Sequence, residues 1–207
     1  MRIQRIDCGY MAANCYALMY EDNKLALIDP GDGANIILDF MRRNNLTLTD
    51  ILLTHGHYDH IGAVQELTEK TGCKVSIGKG NEIMLSSSVE CAADFLDIPN
   101  PEKYLCSADI LLSDGDRFNL GQTEVKVISV PGHSRADICY VIEDVMFTGD
   151  VLFADSCGRA DLPGGDWRLL EKSLRRLSLI DGDYKILSGH GAGTTLARER
   201  KYNPYLR

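Results

Sequence analysis

The run Thr54-His55-Gly56-His57-Tyr58-Asp59-His60 sets the tightest limit on what this chain can become. Three histidines and an aspartate inside six residues give one short stretch a density of metal-binding donors that packing does not require. The run follows Ile51-Leu52-Leu53, an apolar stretch that reads as a buried strand. It precedes Gly62, where helical spacing begins, and so falls on a strand-to-helix turn, the place where α/β folds bind ligands. The remaining histidines occupy similar settings, Pro131-Gly132-His133 and Gly189-His190-Gly191. All five histidines of the chain therefore lie in candidate metal loops.

Periodicity supplies the frame around these loops. Strands are expected over Arg2–Asp7, Asn14–Tyr20 and Lys24–Ile28, with a turn at Glu21-Asp22-Asn23. Asp29-Pro30-Gly31-Asp32-Gly33 cannot continue a strand or a helix and reads as a turn, with Asp29 in a packing role. Ala34, Ile37, Leu38 and Met41 recur at helical spacing, and Asp50–Thr54 reads as the next strand. Ile61, Val64 and Leu67 mark a helix stopped by Gly72, followed by a strand at Lys74–Ile77 and a short helix over Gly80–Leu85. Residues 86–107, bracketed by a serine triplet and Pro99-Asn100-Pro101, give no clear period and form a candidate lid. Strands follow at Ile110–Leu112, Arg117–Leu120, Thr123–Val130, Ile138–Ile142, Val145–Thr148 and Tyr184–Leu187. Asp166 is a plausible cap for a helix whose apolar stripe is Trp167, Leu170, Leu174 and Leu177, and a short helix is expected over 196–202. No linker or repeat divides the chain, so residues 1–207 are read as one domain. The order suggests an α/β architecture, a four-layer sandwich of two mixed β-sheets face to face with helices outside.

One zinc ion needs three or four protein ligands. The chain offers more: His55, His57, Asp59, His60, His133, His190, and Asp150 in Thr148-Gly149-Asp150. Seven donors suit two adjacent cations that share a carboxylate and a water.

The pattern His55-x-His57-x-Asp59-His60, followed by His133, Asp150 and His190, resembles the metallo-β-lactamase superfamily, as do Ile28-Asp29-Pro30-Gly31 and Asn14-Cys15-Tyr16. Within it, Gly158–Asp166 and Asn203-Pro204-Tyr205-Leu206 are similar to glyoxalase II enzymes, the hydroxyacylglutathione hydrolases, and especially to their short bacterial relatives. The resemblance implies the metallo-β-lactamase fold and two divalent ions, zinc first, with iron or manganese also suited. It implies that His55, His57 and His133 hold the first ion, that Asp59, His60 and His190 hold the second, and that Asp150 bridges them. The implied reaction is thioester hydrolysis by a metal-bridging hydroxide, with Asp59 orienting it as the catalytic residue. Long relatives add a C-terminal helical domain that helps bind glutathione, and none is expected here. Where those enzymes place a Lys and a Tyr, this chain has Arg159 and Asp161, which makes Arg159 the candidate substrate-binding residue. Cys157–Asp161 is also similar to persulfide dioxygenases, which keep the same ligand residues but hold one iron on two histidines and an aspartate, so that oxidoreductase is the alternative.

Composition excludes some other classes. A net charge of −8 argues against a nucleic-acid surface and hence against the nucleases of the superfamily. Seven scattered cysteines without a C-x-x-C pair suit reduced thiols rather than a disulfide framework. Neither a signal peptide nor a stretch of transmembrane length is visible, so a cytoplasmic protein acting on a small acyl-thiol, away from membranes, is expected. Cys157 is read as an idle thiol, and Tyr58 as either a substrate contact or a cover for the loop.

Overall fold

The computed structural model describes residues 1–8 and 13–206. Its first sheet takes β1 (Arg2–Ile6), β2 (Cys15–Tyr20) and β3 (Lys24–Ile28) as an antiparallel meander. After α1 (Ala34–Arg43), strand β4 (Thr47–Leu52) lies parallel to β3. Two short helices, α2 (Tyr58–Ile61) and α3 (Val64–Thr71), lead to β5 (Lys74–Gly78). Helix α4 (Glu82–Leu85) and a chain of turns then lead to β6 (Ile110–Leu112), and both of these strands extend the parallel part of the sheet.

The second sheet begins with the antiparallel run β7 (Arg117–Leu120), β8 (Thr123–Ser129), β9 (Ile138–Ile142) and β10 (Val145–Gly149). A small hairpin, β11 (Leu152–Phe153) and β12 (Ser156–Cys157), precedes α5 (Trp167–Ser178). Strand β13 (Lys185–Ser188) then inserts parallel to β10, with β14 (Thr194–Thr195) at its edge and α6 (Leu196–Tyr202) closing the chain.

Central strands buried on both faces explain the layering, because alternate side chains serve different cores. On β2 and β3, Tyr16, Leu18, Ala26 and Ile28 point between the sheets, where they meet Tyr140, Ile142 and Phe147. Cys15, Ala17, Leu25 and Leu27 point the other way, onto Ile37, Met41, Val64 and Leu67 of α1 and α3. Cys139, Val141 and Met146 of the second sheet pack on Leu170, Leu174 and Leu177 of α5. The expected four-layer sandwich of two mixed sheets is the fold observed.

The local differences have identifiable causes. The strand expected at Asp50–Thr54 runs instead from Thr47 to Leu52. Leu53 and Thr54 are drawn toward the second sheet, where Tyr140 Oη donates to the Leu53 carbonyl at 2.9 Å and the Ile138 N–H to the Thr54 carbonyl at 3.1 Å. Helical backbone begins at Tyr58, inside the histidine run rather than at Gly62, and this turn carries Asp59 and His60 round toward the other loops. Trp167 does not join the apolar stripe of α5; it is 49% exposed and packs edge-on against Tyr205. Residues 86–107 hold only a 3-10 turn at Pro101–Tyr104, and they are fastened rather than loose, with the Tyr58 N–H donating to the Cys91 carbonyl at 3.0 Å. The β11–β12 hairpin and β14 are too short to have shown a period.

No helix among the described residues is long and apolar enough to cross a membrane. The Tyr140 hydroxyl ties the two sheets together where the histidine run starts. Tyr140→Phe leaves the ring in place but strips the buried Leu53 carbonyl of its donor. The expected cost is about 1–2 kcal/mol in urea unfolding, and an unchanged midpoint would show that this tie contributes nothing.

Candidate metal centre

Four strands end at one side of the molecule. β8 and β10 both run antiparallel to β9, and β13 runs parallel to β10, so the residues after all three emerge together: His133, Asp150 and His190. β4 delivers His55 and His57 from the facing sheet, and the turn of α2 brings Asp59 and His60. Asn14 sews the two sets together, because its N–H donates to the Gly189 carbonyl at 2.6 Å and its Nδ2 to the carbonyls of Ser188 and Gly191, both at 3.0 Å. Tyr16 Oη adds a bond to the Ser188 carbonyl at 2.7 Å. Gly189 is required here, since a Cβ would run into the Asp150 carboxylate and lie 2.6 Å from His60 Cε1.

The donor atoms converge in three overlapping groups: His55 with His57 and His133, His55 with His60 and Asp150, and Asp59 with His60 and His190. Within each group they lie inside 4.8 Å of one another. Hydrogen bonds on the far side of the rings fix which nitrogen faces inward. His133 Nδ1 lies 2.8 Å from the Arg159 carbonyl, which can only accept, so Nδ1 carries the proton and Nε2 presents a lone pair. His60 Nδ1 lies 3.1 Å from Asp29 Oδ2 and is assigned in the same way. Thr54 Oγ1 donates to Asp29 Oδ2 at 2.6 Å and so accepts from His55 Nδ1 at 3.1 Å, which turns the His55 Nε2 lone pair inward as well. His57 Nδ1 lies 2.9 Å from the bare His133 Nε2. The buried Nε2 atoms of His55, His57 and His60, together with Asp150 Oδ1, have no hydrogen-bond partner. Buried polar atoms are rarely left so. Inward lone pairs of imidazole and carboxylate, orphaned together at this spacing, fit divalent cations with mixed nitrogen and oxygen ligation.

Electrostatics divide the cluster. Burial, reinforced by the neighbouring imidazoles, lowers His55 well below the usual histidine range and takes His57 down to about 3, so both are neutral donors at pH 7. Burial opposes a charge on His60 too, but the Asp150 and Asp59 carboxylates outweigh it and hold its pKa well above the ordinary value. Hydrogen bonds to Asp150 and Asp59 raise His190 to about 9. Burial disfavours ionised Asp150 and Asp59, yet the surrounding imidazoles keep both carboxylates below their usual range.

All seven expected ligands are thus brought together, while Arg159 and Asp161 stand at the rim. Arg159 is 52% exposed and forms a bidentate pair with Asp161, Nε to Oδ1 at 2.6 Å and Nη2 to Oδ2 at 2.7 Å. Its remaining N–H donors stay free of Asp161. Cys157 does not touch this chemistry, and burial pushes its thiol up to about 11, which suits an unreactive group. Tyr58 stacks edge-on with Tyr104 and also lines a cleft of about 290 Å³ over Asp59, Asp150 and His190.

Asp29 has a larger part than a packing role in a turn. Buried and held at φ +49°, its carboxylate accepts from the Thr54 N–H at 2.8 Å and from the Thr54 hydroxyl, and it braces His60. The signal was available, since a residue leaving β3 beside the parallel β4 must lie next to whatever leaves β4. Asp137, which no sequence pattern marks, accepts from the Gly132 and Ser134 N–H groups at 3.1 and 2.7 Å and shapes the turn that presents His133.

Comparison with known proteins agrees with this geometry. Residues 9–190 match the sequence model of the metallo-beta-lactamase superfamily. The chain is 32% identical to the hydroxyacylglutathione hydrolase GloC of Haemophilus influenzae, over 100% of this chain and 98% of that protein. Among solved structures it resembles the BLEG-1 B3 metallo-beta-lactamase at a TM-score of 0.90 and 33% identity, covering 99% of each chain. It also resembles TTHA1623, crystallised in a di-iron-bound form, at a TM-score of 0.84 and 31% identity, covering 98% of this chain and all of that one.

The divided charge has a measurable consequence. With no cation bound, His190 is protonated at pH 7 and the carboxylates push His60 the same way, so a metal takes the inward Nε2 lone pairs only by displacing the protons on them, whereas His55, His57 and the carboxylates have none to give. Metal uptake at pH 7 is therefore expected to release at least two protons, and one more for a water the metals ionise. Affinity should rise steeply with pH until His190 loses its proton near pH 9. Calorimetric titrations in buffers of different ionisation enthalpy measure the release, and a value near zero would contradict the assignment.

Proposed function

Given that the chain belongs to the metallo-beta-lactamase superfamily, we propose that it is a metal-dependent hydrolase that cleaves thioesters, as hydroxyacylglutathione hydrolases do. The observation that carries the reading is the position of Asp150 between two donor sets. Its Oδ1 lies 3.4 Å from His60 Nε2, and its Oδ2 lies 3.4 Å from His190 Nε2 and 3.8 Å from His133 Nε2. In this reading His55, His57 and His133 hold one cation, Asp59, His60 and His190 hold the other, and Asp150 serves both. Zinc is the proposed metal, and the same nitrogen and oxygen donors accept iron or manganese.

Bound there, two divalent cations would acidify a water and polarise an acyl carbonyl. Asp59 lies on the cleft floor with Oδ2 3.1 Å from His190 Nε2, where its carboxylate can accept a hydrogen bond from the attacking water and fix its approach. All five histidines belong to the donor cluster, and none is left over to protonate a leaving group. A thiolate leaves without such help and an amine does not, which favours thioesters over amides. Arg159 is proposed to meet an anionic group on the substrate at the rim, with Asp161 holding the guanidinium in one orientation. Full-length similarity to a protein named as a hydroxyacylglutathione hydrolase supports the reaction class.

A persulfide dioxygenase with one iron draws on the same residues, and oxygen consumption distinguishes it. Purified protein is expected to carry two metal equivalents, to hydrolyse acyl thioesters and to consume no oxygen with a persulfide. One iron with oxygen uptake and no hydrolysis would replace the proposal with the dioxygenase. Asp150→Ala is expected to lower the metal content and to slow thioester turnover more than about a hundredfold. Full metal and full rate in that variant would remove Asp150 from the bridging position.

Arg159→Ala is expected to raise KM for a thioester with an anionic thiol arm about tenfold, with kcat and metal content little changed. KM for a neutral substrate should stay the same. Equal changes for both substrates would leave the Arg159–Asp161 pair a structural one.

A further inference from the structure

Above its ionic floor the cleft is apolar, and its walls come from segments far apart in the chain. Leu96, from the turns after α4, Phe153, from the β11–β12 hairpin, Tyr58 and Leu162 all line it. Leu96 is 37% exposed and presents its side chain to this cleft.

Both walls are fixed in place. The Tyr58 N–H holds the Cys91 carbonyl, and Arg135, two residues beyond His133, grips Glu90 with Nε at 3.2 Å and Nη2 at 2.9 Å from Oε2. Just beyond these ties Ala92 is held at φ +64°, and its carbonyl accepts from the Leu96 N–H at 3.1 Å. On the other side the carboxamide of Asn203 donates to the Phe153 carbonyl at 3.2 Å and the Ser156 carbonyl at 2.9 Å, and buried Glu199 accepts from the Asp155 N–H at 2.7 Å. A cleft with pinned walls selects by size and polarity.

Its volume of about 290 Å³ is at the small end for ligand sites. Part of that space lies over His57, Asp59, His133, Asp150 and His190, so the room left for a substrate chain is smaller still. Apart from the histidines, Arg159 is the one cationic side chain among the described residues that line it, and Asp161 already occupies part of that guanidinium. With Arg159 given to the thiol arm and the metal ions to the reacting carbonyl, a charge further along the acyl chain would lose its hydration against Leu96 and Phe153.

Resting on the thioesterase reading, we infer that the acyl half of the substrate is a compact, uncharged, apolar chain seated between Leu96 and Phe153, while the thiol arm leaves past Arg159. The test is a series of straight-chain thioesters of one neutral thiol, from acetyl to octanoyl, on the metal-loaded protein. kcat/KM is expected to rise about fourfold per methylene, reach an optimum when the cleft is full and then fall. Leu96→Trp should move that optimum to shorter chains. A profile flat or falling from acetyl onward, or one that Leu96→Trp leaves unmoved, overturns the inference.

A second measurement separates this inference from the reaction it rests on. Alkyl methyl ketones of increasing length, titrated while the leucine methyl resonances are followed, should shift those of Leu96 and Leu162 with affinity rising along the series. That result without hydrolysis of any thioester would retain the apolar pocket and refute the thioesterase reading. Affinity independent of chain length would refute the pocket.

Discussion

Lone pairs that face one another across a few ångströms repel, and this fold spends much of its bonding on holding them there. The carboxylate of Asp29 is the central restraint. Through Thr54 it fixes His55, and directly it fixes His60, so one buried side chain sets the inward nitrogen of two rings. The Arg159 carbonyl does the same for His133 from the opposite sheet. Without these outer bonds the rings could turn and find partners elsewhere; with them, the orphaned nitrogens and Asp150 Oδ1 are left to a cation.

The restraint works because the two sheets are joined at the same end. Tyr140 reaches from the second sheet to Leu53, and Tyr16 and Asn14 reach from the first to Ser188 and its neighbours. These bonds use backbone carbonyls that have just left their strands and would otherwise lie buried without donors. The same few contacts thus satisfy the strand ends, set the separation of the sheets and place the histidine loops in register. Packing between the sheets supplies cohesion over a wide area, and the polar ties supply the position.

Much of this was legible in the sequence because it depends on local pattern. Alternating apolar residues marked the strands, and donor density in one loop marked the site. What pattern did not show depends on contacts between distant segments. Nothing near Asp29 says that its carboxylate will also reach His60, and nothing in residues 86–98 says that Glu90 will meet Arg135. The end of β4 was misplaced for a related reason, since Leu53 and Thr54 have strand-like character and leave the sheet only because groups on β9 claim their carbonyls. The early start of α2 reflects the cluster as well, because a helical turn is what swings Asp59 and His60 toward His190.

The donors come from both ends of the chain, with His55 to His60 on one side and Asp150 and His190 on the other. The complete set therefore exists only where both sheets are docked. An ion that needs the complete set has little affinity for the unfolded chain, and its binding adds to the stability of the folded one in proportion to the logarithm of its free concentration. The lifetime of the protein against proteolysis is thereby tied to metal supply, and scarcity would be felt as lost abundance as well as lost turnover.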